Sequence, residues 1–215
     1  MKEIDQLVSE YKIKKNEIQE KLNDFKDVLN QPDERVFAEL AFCLCTPQSK
    51  AAEAWNSIKT LIENKLLYTG SVEDIRPFLK PVRFCDTKAE RIIEAREFFT
   101  KNGELKIKGK INSFDNTFEL RDFLANNVKG IGMKEAGHFI RNIGFDYDSQ
   151  LAILDRHILK NLKRIGVIKE IPKSLTRKAY LKIEEKMRKF SESIKISMYE
   201  LDMLFWSRET GMVFK

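Results

Sequence analysis

Phe123–Ile168 reads FLANNVKGIGMKEAGHFIRNIGFDYDSQLAILDRHILKNLKRIGVI, and this stretch decides the fold. A helical pattern stops at Asn126-Asn127, crosses a tight turn at Lys129-Gly130-Ile131-Gly132, and restarts as a second helix. Two glycines flanking one apolar residue suit a hairpin whose backbone turns sharply and approaches a partner closely. Ile131 then plugs the turn into the core. The second helix is expected to open with free backbone N–H groups near Gly132, Met133 and Lys134, a place that favours an anion such as a phosphate. Ala136, Ile140 and Ile143 share its apolar face, while Lys134, His138 and Arg141 share a polar flank. Gly144 ends it. After the apolar Leu151–Leu154, Asp155 stands where an N-cap belongs, ahead of Ile158, Leu159, Leu162 and Ile165 at helical spacing. Taken singly, each feature has a plain alternative. Glycine turns are common in helical hairpins, and an aspartate in this position can be a cap and nothing more.

Working outward, apolar residues return every three or four positions along nearly the whole chain. Ile4, Leu7, Val8 and Tyr11, then Ile18, Leu22 and Phe25, outline one helix or a pair. Pro32-Asp33-Glu34 reads as a helix start leading into the apolar run Val36–Cys45. Pro47 interrupts that run, and Ser49 is placed to cap a helix over Ala51–Ile62. Thr69-Gly70-Ser71 marks a turn, Pro77 and Pro81 bracket a loop, and Lys88–Phe99 is helical again. Lys101–Asn112 (KNGELKIKGKIN) is read as an exposed basic loop, with a β-ribbon as the alternative. The fold class is therefore all-α, two helical lobes with a helix-hairpin-helix motif at the cleft between them. One lobe is expected over 31–154 and the other from 1–30 together with 155–215.

Net charge is +6 over 215 residues, which favours a polyanionic partner without requiring one. No apolar run approaches the roughly 18 residues of a membrane span, and 1–26 has no signal-peptide centre. No membrane association is expected, and the chain should work inside the cell, in the cytoplasm or on the nucleoid. The three cysteines, Cys43, Cys45 and Cys85, and two histidines fall short of a metal-binding pattern, so no metal ligands are assigned.

On Gly130-Ile131-Gly132, a lysine two residues later (Lys134) and an aspartate about twenty residues further (Asp155), the segment resembles the helix-hairpin-helix DNA glycosylase superfamily. The strings KGIGMKEAGHFIRN, AILDRHIL, IPKSLTRKAY and LDMLFWSRETGMVFK resemble its archaeal-type second family of 8-oxoguanine DNA glycosylase/AP lyases. Val128-Lys129-Gly130 departs from the Leu-Pro-Gly that many members carry at the turn. That departure and the cysteine count point away from an iron–sulfur cluster, and no cofactor is expected beyond a monovalent cation on hairpin carbonyls.

The resemblance implies an enzyme acting on double-stranded DNA that contains 8-oxoguanine, and a monomer is expected. It would remove the base and then nick the strand by β-elimination through a lysine Schiff base. Lys134 would be the amine and Asp155 the carboxylate that stabilises charge on the sugar. An extruded base needs an apolar slot, and the resemblance implies Phe84 and Trp206 as its walls, with Lys215 and its terminal carboxylate reaching the guanine edge. Asp202, one turn before Trp206, is a further candidate for the pocket. Gln48 is the candidate to fill the gap left in the duplex, and Gly130, Gly132 and Met133 to meet the DNA backbone. Here too plain alternatives stand: a core aromatic for Phe84, a solvated loop for Gln48, a frayed end for Lys215. Lys160, Lys163, Arg164, Lys173, Arg177 and Lys178 are basic enough to meet phosphates but read equally as solvated helix faces. Two other functions compete with this one: excision of a different damaged base, and a non-catalytic module that only holds DNA.

Overall fold

The chain opens on a single 25-residue helix, α1 (Lys2–Lys26), where the spacing left one helix or two open. Leu7, Tyr11, Ile18, Leu22 and Phe25 line one buried face, and neither glycine nor proline interrupts the backbone. The computed structural model describes residues 2–148 and 150–214, all helical apart from one short ribbon and the connections. α2 (Asp33–Cys45) starts after Pro32 with Asp33 and Glu34 in its first turn, and residues 36–45 are all buried. It is the central rod of the first core. α3 (Ala51–Glu63) follows, but Ser49 does not cap it: Lys50 occupies the cap position and makes no side-chain bond there. The Ser49 hydroxyl instead accepts from the Arg83 N–H (2.9 Å) and the Lys88 ammonium (3.1 Å).

Two one-turn helices, α4 (Leu66–Thr69) and α5 (Val72–Ile75), lead through a 3₁₀ turn at Arg76–Leu79 to α6 (Cys85–Phe98). The stretch read as a loop, with a β-ribbon as the alternative, begins as that ribbon and continues as a helix. β1 (Thr100–Lys101) pairs antiparallel with β2 (Glu104–Leu105), and α7 (Ile107–Ile111) follows. Asn102 (φ 54°) and Gly103 (φ 79°) turn the ribbon, as tight hairpins require.

α8 (Thr117–Asn127) and α9 (Met133–Asn142) form the helical hairpin. Then come α10 (Arg156–Arg164), α11 (Arg177–Ile194) and α12 (Met198–Thr210), capped by the side chains of Asp155, Thr176 and Ser197.

Buried apolar residues gather in two clusters. One runs from Val28 to Leu151 and is built on α2 to α9; the other joins α1 to residues from Ala152 onward. The chain passes from one to the other at Leu151-Ala152, three residues before Asp155. The clusters are joined where α9 ends: Gly144 adopts φ +69°, and a Cβ there would stand 2.6 Å from the Lys26 Cα. Only glycine permits that approach. Leu29 N–H also donates to Ile143 O (3.1 Å), tying the turn after α1 to the end of α9 within the first cluster.

Candidate active site

The hairpin turn is held as its sequence suggests, with two differences, both at Gly132. Gly130 has φ +93°, and a Cβ would meet Arg91 Cδ at 2.6 Å. Gly132 is extended (φ −103°), a conformation open to any residue. Ile131 is buried and its N–H donates to Val128 O (3.0 Å). The N–H of Gly132 is not free for an anion, because it donates to Glu135 Oε2 (3.3 Å). A monovalent cation here would have backbone carbonyls as ligands; Val128 O is engaged as described, and Gly132 O accepts from Ala136 N–H (2.9 Å).

Lys134 is the second residue of α9, its side chain 23% exposed, with Nζ 2.9 Å from Glu135 Oε1. Its expected companions are not a solvated flank. His138 and Arg141 are buried, His138 packing edge-on against Phe42. Arg141 donates to Asn142 Oδ1 (3.2 and 3.1 Å) and to the Asp202 carboxylate on α12. Asn142 passes the chain of bonds on to Glu39 (3.1 Å), which pairs with Arg35 (2.6 Å). Buried charges need such partners.

Asp155 is a true N-cap. Its Oδ1 accepts from His157 N–H and Ile158 N–H, both at 2.8 Å, and Oδ2 takes part in neither bond. The segment that delivers it is pinned from α11. The Tyr180 hydroxyl donates to Ala152 O (2.5 Å) and accepts from Leu154 N–H (3.3 Å), while Glu184 Oε1 accepts from Ala152 N–H (2.8 Å). Glu184 is in turn paired with buried Arg121 (2.7 Å).

A cavity of about 750 Å³ opens beside Asp155. Gln48, Asp155, Asp202 and Trp206 line it, together with two residues the sequence reading did not single out, Arg83 and Phe214. Trp206 is half-buried, and its ring stacks on Phe214 (centroids 6.1 Å apart, planes 29° apart). Phe84 is not one of the lining residues. It stands 54% exposed with φ +59°, its ring covered by the Arg83 guanidinium at 4.9 Å. An aromatic so exposed is no core residue. Lys134 is likewise not in the lining, yet its charge and that of Asp155 both act on Asp202. Burial pushes the Asp202 carboxyl up to about 7, against the opposing pull of Arg141. Asp202 therefore lies in the cavity wall but is committed to Arg141. Met133 has its sulfur 3.5 Å from an Arg177 nitrogen. Three of the basic residues considered for phosphates hold exposed ion pairs, Lys160 with Glu209, Arg164 with Glu3 and Arg177 with Asp122. Lys215 lies outside the described residues.

Phe214 carried only a weak local signal, an aromatic at the second-last position. Arg141 carried a misleading one, since helical spacing put it with Lys134. Among the described residues no helix is long and apolar enough to cross a membrane.

Residues 18–196 match the family model described as 8-oxoguanine DNA glycosylase. The chain is 44% identical over 206 residues to the 8-oxoguanine DNA glycosylase/AP lyase of Fusobacterium nucleatum subsp. nucleatum, over 95% of this chain and 94% of that protein. Two crystal structures superpose with a TM-score of 0.86. The Methanocaldococcus jannaschii 8-oxoguanine glycosylase/lyase, in complex with a 15mer DNA containing 8-oxoguanine, is 36% identical and matches 98% of this chain and 100% of its own. The 8-oxoguanine DNA glycosylase of Thermotoga maritima is 33% identical and matches 98% and 97%.

Proposed function

The chain belongs to the 8-oxoguanine DNA glycosylase family, and we propose that it excises 8-oxoguanine from double-stranded DNA and then cleaves the abasic site. The observation that carries this reading is Asp155. Its carboxylate is fixed by two backbone bonds at a helix N-terminus and lines a cavity large enough for a base, with Lys134 within electrostatic reach of the same wall.

Loss of the base leaves positive charge on the sugar, and a carboxylate held beside C1′ stabilises that charge without having to reorganise. Oδ1 is occupied by the helix, so Oδ2 is the oxygen turned to this task. The Lys134 amine bonds to C1′ as the base departs. It attacks without its proton, and Glu135 Oε1 at 2.9 Å from Nζ is placed to accept it. The C1′–O4′ bond then breaks, O4′ taking up a proton as the lysine nitrogen gives one up. The Schiff base so formed acidifies the C2′ hydrogen, whose loss as a proton expels the 3′ phosphate. Protein and DNA supply the nucleophile, the carboxylates and the leaving groups, water releases the lysine at the end, and we propose no cofactor for these steps.

In this reading Phe84 and Trp206 hold the extruded base, Asp202 and Lys215 are its polar partners, Gln48 enters the gap, and Gly130, Gly132 and Met133 approach the strand. Phe84 must move towards Trp206 or the base towards Phe84, since the ring stands outside the cavity wall. We propose two lobes, 31–154 and 1–30 with 155–215, bounds that the two apolar clusters support to within a few residues, dividing before Val28 and at Leu151-Ala152, and a monomer working on DNA inside the cell.

Borohydride reduction tests the reading. A duplex with 8-oxoguanine opposite cytosine should give a covalent complex with the wild-type protein. Lys134→Gln should give none while retaining duplex binding in a mobility-shift assay. No trapped complex with the wild type overturns the lyase assignment, and trapping by Lys134→Gln assigns the nucleophile elsewhere.

A further inference from the structure

The proposed reaction leaves a buried ammonium unused. Lys88 on α6 is 2% exposed, and its Nζ donates to Cys45 O (2.7 Å), Pro47 O (2.7 Å) and Ser49 Oγ (3.1 Å). Three donors thus meet three acceptors, the condition under which a buried ammonium is tolerated. All three acceptors belong to the segment at the C-terminal end of α2, where the negative end of the helix dipole also favours a cation. Ser49 Oγ accepts in addition from Arg83 N–H (2.9 Å), so the same junction grips the loop that precedes Phe84. Each gripped segment carries a non-glycine residue in the left-handed region, Gln48 at φ 56° and Phe84 at φ 59°. Such backbone persists only where its surroundings over-determine it.

We propose that Lys88 is a positioning residue that holds the Gln48 and Phe84 loops in one fixed relation, ready for the gap and the extruded base. The proposal rests on the reading above that these two side chains meet those two parts of the DNA. Burial brings the Lys88 ammonium down to about 8, with Lys134, Arg91, Glu135 and the Cys45 thiol facing it. A neutral amine has only two donors, so the junction loses one of its three bonds as pH rises through that value.

The test compares single-turnover base removal from an 8-oxoguanine:cytosine duplex with borohydride trapping on a duplex that already contains an abasic site. Lys88→Met should slow base removal about tenfold or more, the effect of losing a charge-assisted hydrogen bond, and leave trapping within about threefold. Lys88→Gln, which keeps two donors, should fall between Met and wild type. Above pH 8 wild-type base removal should decline relative to trapping, and this decline should be missing from Lys88→Met. Were Lys88 to act through its charge on Lys134, trapping would fall as far as base removal, and that result overturns the proposal. So does an unchanged rate of base removal. Should Lys88→Met not fold, judged by its melting curve, Ser49→Ala removes one acceptor and the Arg83 tether without touching the charge. It should slow base removal more than trapping, and equal effects refute the junction. Wild-type protein that removes no 8-oxoguanine fails the functional reading itself, separately from any Lys88 variant.

Discussion

Asp155 holds a helix and is proposed to stabilise a cation, and two substitutions separate those duties. Asp155→Ala deletes both Oδ1 bonds, to His157 N–H and Ile158 N–H. An N-cap lost to alanine costs about 1 kcal/mol, within a range of roughly 0.5–2. For a chain of this size that lowers the melting temperature by about 2–4 °C. Asp155→Asn keeps an acceptor of equal capping quality and loses only the charge, worth about 0.3–1 kcal/mol at a helix N-terminus. It should therefore melt above the alanine variant and close to wild type. Base removal should follow the opposite logic. Both variants lose the carboxylate charge at C1′, and removing one preorganised stabilising group of this kind costs about 10²–10³-fold in rate. Circular dichroism melts and single-turnover excision from an 8-oxoguanine:cytosine duplex read the two effects independently. If Asp155→Asn excises within about fivefold of wild type, the aspartate is a cap and the catalytic argument is wrong. If the two variants melt together, the capping bonds are not what holds α10.

Gly130→Ala should lower stability by about 1–3 kcal/mol, since φ +93° and a 2.6 Å approach to Arg91 both oppose a Cβ, whereas Gly132→Ala at an extended φ should cost less than about 1; denaturant midpoints distinguish them. Asp202 titrates at about 7 when folded against 3.8 for the free carboxyl, so between those values the folded state holds the extra proton and stability falls as pH rises. Asp202→Asn should flatten that slope, checked by unfolding midpoints measured at either end of the window. Trp206→Ala should weaken handling of the 8-oxoguanine duplex by about 1–3 kcal/mol, the worth of one aromatic plane against a base, with less effect on a pre-made abasic site. Equal loss on both substrates would place Trp206 in folding, with Phe214 as the partner that misses it.

What could be read from the sequence was what is decided within a few residues. The hairpin follows from glycines two apart, the Asp155 cap from an acceptor two and three residues ahead of the N–H groups it binds, and the buried face of α1, though not its continuity as one helix, from apolar spacing. The ribbon at 100–105 was equally local, since Asn102-Gly103 is a strong turn signal. It stands only as the alternative to a loop in the sequence because Thr100, Lys101 and Glu104 are all exposed and show no alternation. The failures have a different origin. Ser49 satisfies a local rule for capping, yet its hydroxyl binds Arg83 and Lys88, more than thirty positions away. Arg141 satisfies helical spacing with Lys134, yet it is buried by Asp202, sixty-one positions on.

These long-range partners share a physical logic that bears on the site. A polar group follows its local preference only while water is available to satisfy it otherwise; once packing removes the water, the nearest complementary group decides. Cavity walls are where that exchange is most complete. Asp202 shows the consequence: it reaches the cavity, as its place one turn before Trp206 implied, but arrives already bonded to Arg141 and with its charge opposed by Asp155. An incoming base can therefore draw on Asp202 only by competing with a buried guanidinium. Base recognition by that carboxylate should be weaker than stacking on Trp206, and the Arg141–Asp202 bond is better suited to holding α9, which carries Lys134, against α12, which carries Trp206. Lys134 and Trp206 then keep a common frame through a residue pair that need touch neither the sugar nor the base.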